Sequence, residues 1–299
     1  MKAPFPYFGG KSSVAPIVWA ALGTPKRYIE PFAGSAAVLL ARPNAPEVNQ
    51  YEIINDLSGG IVNFWRALKA EPDTIASLAA DWPVSELDEY ARKCWLIDHE
   101  AALADRLRAD PEYYDAKLAA WWVYVQCNTL GGGTFRKNRS IVRINNKNGI
   151  MASSLAEARI ALHGLSDRLR RVLVTCGSWE RVITRAALNE YDPDLCGIFL
   201  DPPYATKGRD TVYAHDCTNV AHDVREWAKQ HAHKPYMRIA LAGYDGEHNE
   251  LEGMGWTVHA WKAQGGYGNL RKNGTNENKH KERIWFSPNC LPLQSTGLF

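Results

Sequence analysis

Hydrophobic positions recur at two spacings along this chain, and the change between them divides it. Short apolar runs that read as buried strands occur at Tyr28-Ile29, Glu52-Ile53-Ile54-Asn55-Asp56, Val172-Leu173-Val174-Thr175-Cys176, Gly197-Ile198-Phe199-Leu200, 237–242, 256–261 and 283–288. Helical stretches lie between them, one leading to Leu40, one from Leu57 to Trp65, and others over 153–171 and 220–232. Strand, turn and helix in alternation predict an α/β fold. Between about 67 and 165 the alternation stops. Segments 75–81, 85–107 and 112–126 carry Ala, Leu, Trp and Tyr at helical spacing, with Pro72, Pro83 and Pro111 at the expected helix starts. They predict a small bundle inserted into the sheet domain, which divides the chain into 1–66 with 166–299 and, between them, 67–165. The aromatic run Tyr113-Tyr114 and Trp121-Trp122-Val123-Tyr124 reads as helix core.

Charge refines this picture. The chain of 299 residues carries 35 basic and 33 acidic side chains, so any affinity for nucleic acid must come from local clustering. No apolar stretch approaches a membrane span, and the start Met1-Lys2-Ala3-Pro4-Phe5-Pro6 lacks the apolar region of a signal peptide, which points to the cytosol. Cys94, Cys127, Cys176, Cys196, Cys217 and Cys290 show no CxxC spacing and read as reduced. His231-Ala232-His233 reads as solvated surface, and no metal site is expected.

The chemistry concentrates at strand ends. The run ending at Leu200 is followed by Asp201-Pro202-Pro203-Tyr204. Two prolines supply no N–H, which leaves the carbonyls of Asp201 and Pro202 free to accept. Asp201 adds a carboxylate and Tyr204 an aromatic face, a set able to grip an exocyclic amine. Upstream, Tyr28-Ile29-Glu30-Pro31-Phe32-Ala33-Gly34-Ser35-Ala36-Ala37 runs from a strand into a turn of small residues at a helix start, where a ligand can approach backbone. It is not GxGxxG, so a dinucleotide is disfavoured. The next strand ends in Asp56, placed either to cap the following helix or to accept from ribose hydroxyls.

These motifs resemble those of the Dam-like (D12 class) DNA adenine-N6 methyltransferases. Pro6-Tyr7-Phe8-Gly9-Gly10-Lys11-Ser12 is similar to the family's opening cofactor segment, and Glu30-Pro31-Phe32-Ala33-Gly34-Ser35, Asn55-Asp56-Leu57 and the DPPY tetrad follow in the family's order. Arg283-Ile284-Trp285-Phe286-Ser287-Pro288 is like the last strand of its catalytic sheet. The resemblance implies a Rossmann-like methyltransferase sheet, mostly parallel with an antiparallel last strand, and an inserted helical and β-hairpin DNA-recognition domain. It implies S-adenosyl-L-methionine as cofactor and double-stranded DNA as partner, with a restriction endonuclease as a possible second partner. Carried over residue by residue, Asp201, Pro202, Pro203 and Tyr204 are catalytic. Tyr7, Gly10, Lys11, Glu30, Pro31, Phe32, Ala33, Gly34, Ser35, Asp56, Ser178, Trp179 and Asp201 meet the cofactor, Lys11 through its carboxylate or alternatively a DNA phosphate.

Three further segments bear on DNA. Glycines at 131–133 precede Arg136, Lys137, Arg139 and Arg143 in a stretch ending at the turn signal Asn148-Gly149, a candidate DNA-touching hairpin. Lys207 and Arg209 lie in a polar loop after the tetrad, and Arg271 and Lys272 in a Gly- and Asn-rich segment; both are candidate phosphate contacts. One position departs from the family. Ser178 stands where members usually carry an acid for the cofactor's adenine, so the bond loses charge assistance unless Glu180 supplies it. Trp179 either covers that adenine or packs. The same site would serve cytosine N4, although members with that substrate more often begin the tetrad with Ser. A catalytically silent DNA-binding relative is the reading that Ser178 favours.

Overall fold

The computed structural model describes residues 1–7, 10–43, 50–80, 85–110, 112–128, 149, 154–204, 219–261 and 282–293. Within these, one sheet contains seven strands: β1 (Arg27–Glu30), β2 (Tyr51–Asp56), β3 (Val172–Cys176), β4 (Cys196–Leu200), β5 (Met237–Tyr244), β6 (Thr257–Ala260) and β7 (Glu282–Phe286). Their order is β3-β2-β1-β4-β5-β7-β6. β1 runs parallel to β2 and β4, β4 runs parallel to β5, and β7 lies antiparallel between β5 and β6. This is the Rossmann-like sheet, mostly parallel with an antiparallel last strand, that the sequence implied.

β4 is buried at every position, which is why it reads as a continuous apolar run. Gly197 is needed there for close approach, because a Cβ would stand 2.8 Å from Cγ of Pro25. Ile29 of β1 lies opposite Ile198 of β4, so the carboxyl ends of these parallel strands leave the sheet side by side. Chain order reverses at this pair, with β2 flanking β1 on one side and β4 on the other. Open α/β sheets take their ligands at such switch points.

The chain divides into two compact units. One comprises Met1–Phe8, Gly34–Ala36 and Asn55–Trp179; the other comprises Gly9–Ala33, Ala37–Ile54 and Glu180–Phe299. The first carries β3 and the helices α3 (Gly59–Ala70), α4 (Pro72–Ala80), α5 (Glu86–Ala109), α6 (Ala116–Asn128) and α7 (Leu155–Leu169). Its core is aromatic. The Phe5 ring lies 5.3 Å from Phe64, 5.8 Å from Trp65 and 4.8 Å from Trp122. Trp122, Val123 and Tyr124 are buried as expected, whereas Tyr113, Tyr114 and Trp121 are only half-buried. α6 begins later than the expected 112, because the Asp115 carboxylate accepts from the Leu118 N–H at 2.8 Å and so caps the helix there. α7 opens on a capping box between Ser154 and Glu157.

The second unit carries β1 and β4 to β7 with α1 (Ala15–Leu22), α2 (Ala37–Leu40), α8 (Arg185–Leu188) and α9 (Val220–His231). α1 had no distinct signal, since Ala-Pro-Ile-Val-Trp-Ala-Ala-Leu lacks a polar face to reveal a helical period. It buries Val18, Trp19 and Leu22, and the Trp19 indole donates to the Val38 carbonyl at 2.7 Å, pinning α2. His231 departs from the solvated-surface reading, as its ring stacks on Trp227 at 4.3 Å. Among the described cysteines, Cys94, Cys127, Cys176, Cys196 and Cys290 are free thiols. No helix among the described residues is long and apolar enough to cross a membrane.

Candidate active site

In the second unit, the tetrad leaves β4 with Pro202 buried and Asp201, Pro203 and Tyr204 half-buried. The Lys11 ammonium, buried, reaches the Asp201 carboxylate at 2.9 Å. The Tyr204 hydroxyl lies 3.1 Å from Asp201 and 2.9 Å from Glu282, the first residue of β7. Burial, followed by the charges of Asp201 and Glu282, holds the Tyr204 phenol well above its ordinary range, so it stays neutral. Burial also raises the Glu282 carboxyl, against the pull of Lys11. The Tyr204 ring packs edge-on against Tyr244 at 4.5 Å. Two tyrosines, two carboxylates and an ammonium thus converge at the carboxyl end of β4.

Glu30, at the neighbouring end of β1, is engaged internally. It accepts from the Tyr28 hydroxyl at 2.9 Å and from the Leu39 N–H at 3.1 Å, which ties the strand to the start of α2. Burial pushes its carboxyl up to about 8. Pro31 and Ala33 are buried beside it, and Phe32 is half-buried.

In the first unit a second group of polar atoms forms around Asp56. Its carboxylate accepts from the Gly34 N–H at 2.9 Å and from the Ser58 N–H at 2.8 Å. Ser58 itself occupies the helix cap position, so Asp56 is more than a cap for α3. Burial raises the Asp56 carboxyl, and these N–H donors oppose the rise. Gly34 has φ of 48°, and a Cβ on it would stand 2.6 Å from the Tyr7 ring. Ala36, with φ of 50°, holds the same left-handed conformation in the same turn. The Trp65 indole donates to the Gly34 carbonyl at 3.3 Å. Ser35 is buried, Ser178 exposed and Trp179 buried. β3 runs into this region, where the Asn55 amide donates to the Gly177 carbonyl at 2.9 Å.

A family described as D12 class N6 adenine-specific DNA methyltransferase matches residues 7–237. The chain belongs to this family. It also resembles a DNA N-6-adenine-methyltransferase of Escherichia phage P1, 26% identical over 220 residues, which are 71% of this chain and 26% of that protein. The chain therefore spans about a quarter of the length of the curated relative it matches. Membership in a methyltransferase family implies a methyl donor.

Against the D12 motifs, the structure groups the sequence-derived residues unevenly. Lys11 joins Asp201 and Tyr204, while Tyr7, Gly34 and Asp56 form the second group. Gly10 is half-buried next to Lys11 in sequence. Arg136, Lys137, Arg139, Arg143, Lys207, Arg209, Arg271 and Lys272 lie outside the described residues. Sequence reasoning missed Glu282 and Tyr244. Strand alternation offered a signal for the first: Glu282 shares a face with Ile284 and Phe286, which puts a carboxylate on a buried face.

Proposed function

We propose that the chain transfers a methyl group from S-adenosyl-L-methionine to the N6 amine of an adenine in double-stranded DNA. The observation that carries this reading is the state of Asp201, a carboxylate held by Lys11 and Tyr204 at the switch point between β1 and β4. The adenine amine is a poor nucleophile because its lone pair is delocalised into the ring. Asp201 and the Pro202 carbonyl would accept its two hydrogens, turning the lone pair outward and stabilising positive charge as it develops on nitrogen. Pro203 keeps the backbone there without a donor. The Tyr204 ring would stack on the base, which must leave the duplex at a cost of a few kcal/mol.

The group around Asp56 fits the donor. The backbone N–H groups of Gly34, Ser58 and Leu57 hold the Asp56 carboxylate, and the half-buried side chain keeps acceptor capacity for a ribose hydroxyl. The left-handed turn at Gly34 brings its N–H onto Asp56 and lets the Tyr7 ring pack where a Cβ would stand. S-adenosyl-L-methionine, when bound, supplies an electrophilic methyl group on a positively charged sulfur. The family resemblance assigns Tyr7, Gly10, Pro31, Phe32, Ala33 and Trp179 to the cofactor, with Ser178 offering a hydroxyl to its adenine. Lys11 and Glu30 serve the protein's own groups in this reading. DNA recognition is assigned to 67–165, with the basic residues there and at Lys207, Arg209, Arg271 and Lys272 meeting phosphates. Sequencing DNA from cells that express the chain, with detection of modified bases, tests the proposal: N6-methyladenine in a fixed context is expected, and unmodified DNA or a methylated cytosine would overturn it.

A further inference from the structure

Glu282 lies far from the tetrad in sequence, yet its Oε2 atom stands 2.9 Å from the Tyr204 hydroxyl and 3.9 Å from the Lys11 ammonium. The side chain is only 7% exposed. β7 puts it there: Glu282 pairs with Tyr244 at the end of β5, and the Tyr244 ring packs edge-on against Tyr204. A phenol has one proton and can donate to one carboxylate at a time. Two acceptors, Asp201 and Glu282, compete for it, and the contact to Glu282 is the shorter. The Lys11 ammonium likewise lies between the same two carboxylates. Without Glu282, the Tyr204 hydroxyl and the Lys11 ammonium would turn more fully to Asp201. That would draw on the lone pairs that an incoming amine needs and would free the Tyr204 ring to turn.

We infer that Glu282 is a positioning residue for the amine site, holding the Tyr204 hydroxyl and sharing Lys11 so that Asp201 keeps its acceptor capacity for the substrate amine. This rests on the reading of Asp201 as the acceptor of that amine. Burial raises the Glu282 carboxyl, and the Lys11 ammonium beside it opposes the rise.

The test is single-turnover transfer of labelled methyl from S-adenosyl-L-methionine to duplex DNA by Glu282→Gln, Tyr204→Phe, their double variant and Asp201→Ala, with cofactor affinity measured by calorimetry on each. Glu282→Gln keeps the shape, and Tyr204→Phe removes only the hydroxyl. We expect Glu282→Gln to slow transfer about 10- to 100-fold, the span that corresponds to losing one hydrogen bond to a charged group, with cofactor affinity unchanged. We expect the double variant to be slowed by less than the product of the two single effects, since both changes act on one shared hydrogen-bond network. A wild-type rate for Glu282→Gln, multiplying effects in the double variant, or loss of cofactor affinity would each overturn the inference. Wild-type transfer by Asp201→Ala would instead overturn the reading of the tetrad on which it rests.

Discussion

Asp56 holds backbone N–H groups on both carboxylate oxygens and still presents an open side, an arrangement that fixes the carboxylate without using it up. Charge-assisted hydrogen bonds contribute about 1.5–3 kcal/mol each. Asp56→Ala is therefore expected to weaken S-adenosyl-L-methionine binding at least tenfold, as read by calorimetric titration; unchanged affinity would remove Asp56 from the site. Glu30 makes a prediction about pH. Its carboxyl titrates at about 8 in the fold, against 4.5 ordinarily, so the folded chain binds this proton more tightly than the unfolded one. The group's contribution to stability is full below 4.5 and is lost as pH rises towards 8, with a slope of up to about 1.4 kcal/mol per pH unit. Glu30→Gln does not titrate. Denaturant titrations across that window should show wild type losing stability relative to the variant as pH rises, and parallel curves would contradict the buried, protonated carboxyl.

At the level of elements, the turn between β1 and α2 depends on backbone that most residues resist. Gly34→Ala adds a Cβ in a left-handed conformation, at a cost of about 1–2 kcal/mol, and drives it against the Tyr7 ring, 2.6 Å away. Loss of stability of at least that size is expected from denaturant unfolding, together with weaker cofactor binding; a variant as stable as wild type would show that the turn is not held as described. The strands themselves were legible in the sequence. β3 falls on its expected residues, and β4 was visible because burial on both faces makes a continuous apolar run. The tetrad and Asp56 were legible because motif and strand end coincide. Glu282 was not, because its partners Tyr204 and Lys11 come from distant parts of the chain and only strand pairing brings it to them. The start of α6 was hidden for a related reason, since Asp115 acts as a cap only once Asn63 has fixed its backbone, accepting from its N–H at 2.7 Å.

At the scale of the whole molecule, a nearly balanced charge means that any affinity for DNA has to be local, and on the proposed function Arg136, Lys137 and Arg139 are its first candidates. Neutralising these three together is expected to weaken DNA binding and to reduce its salt slope by about 0.9 for each phosphate that the protein no longer neutralises. An unchanged slope would move the phosphate-binding residues elsewhere, with Arg271 and Lys272 the next candidates. The chain's membership in the D12 family and the sheet that carries its motifs lead to one claim above the others, that Asp201 is the acceptor that orients the target amine. Single-turnover transfer of labelled methyl to duplex DNA by Asp201→Ala tests it most directly. The predicted result is a loss of about 100-fold or more, with folding and cofactor affinity retained, and transfer at the wild-type rate would contradict it.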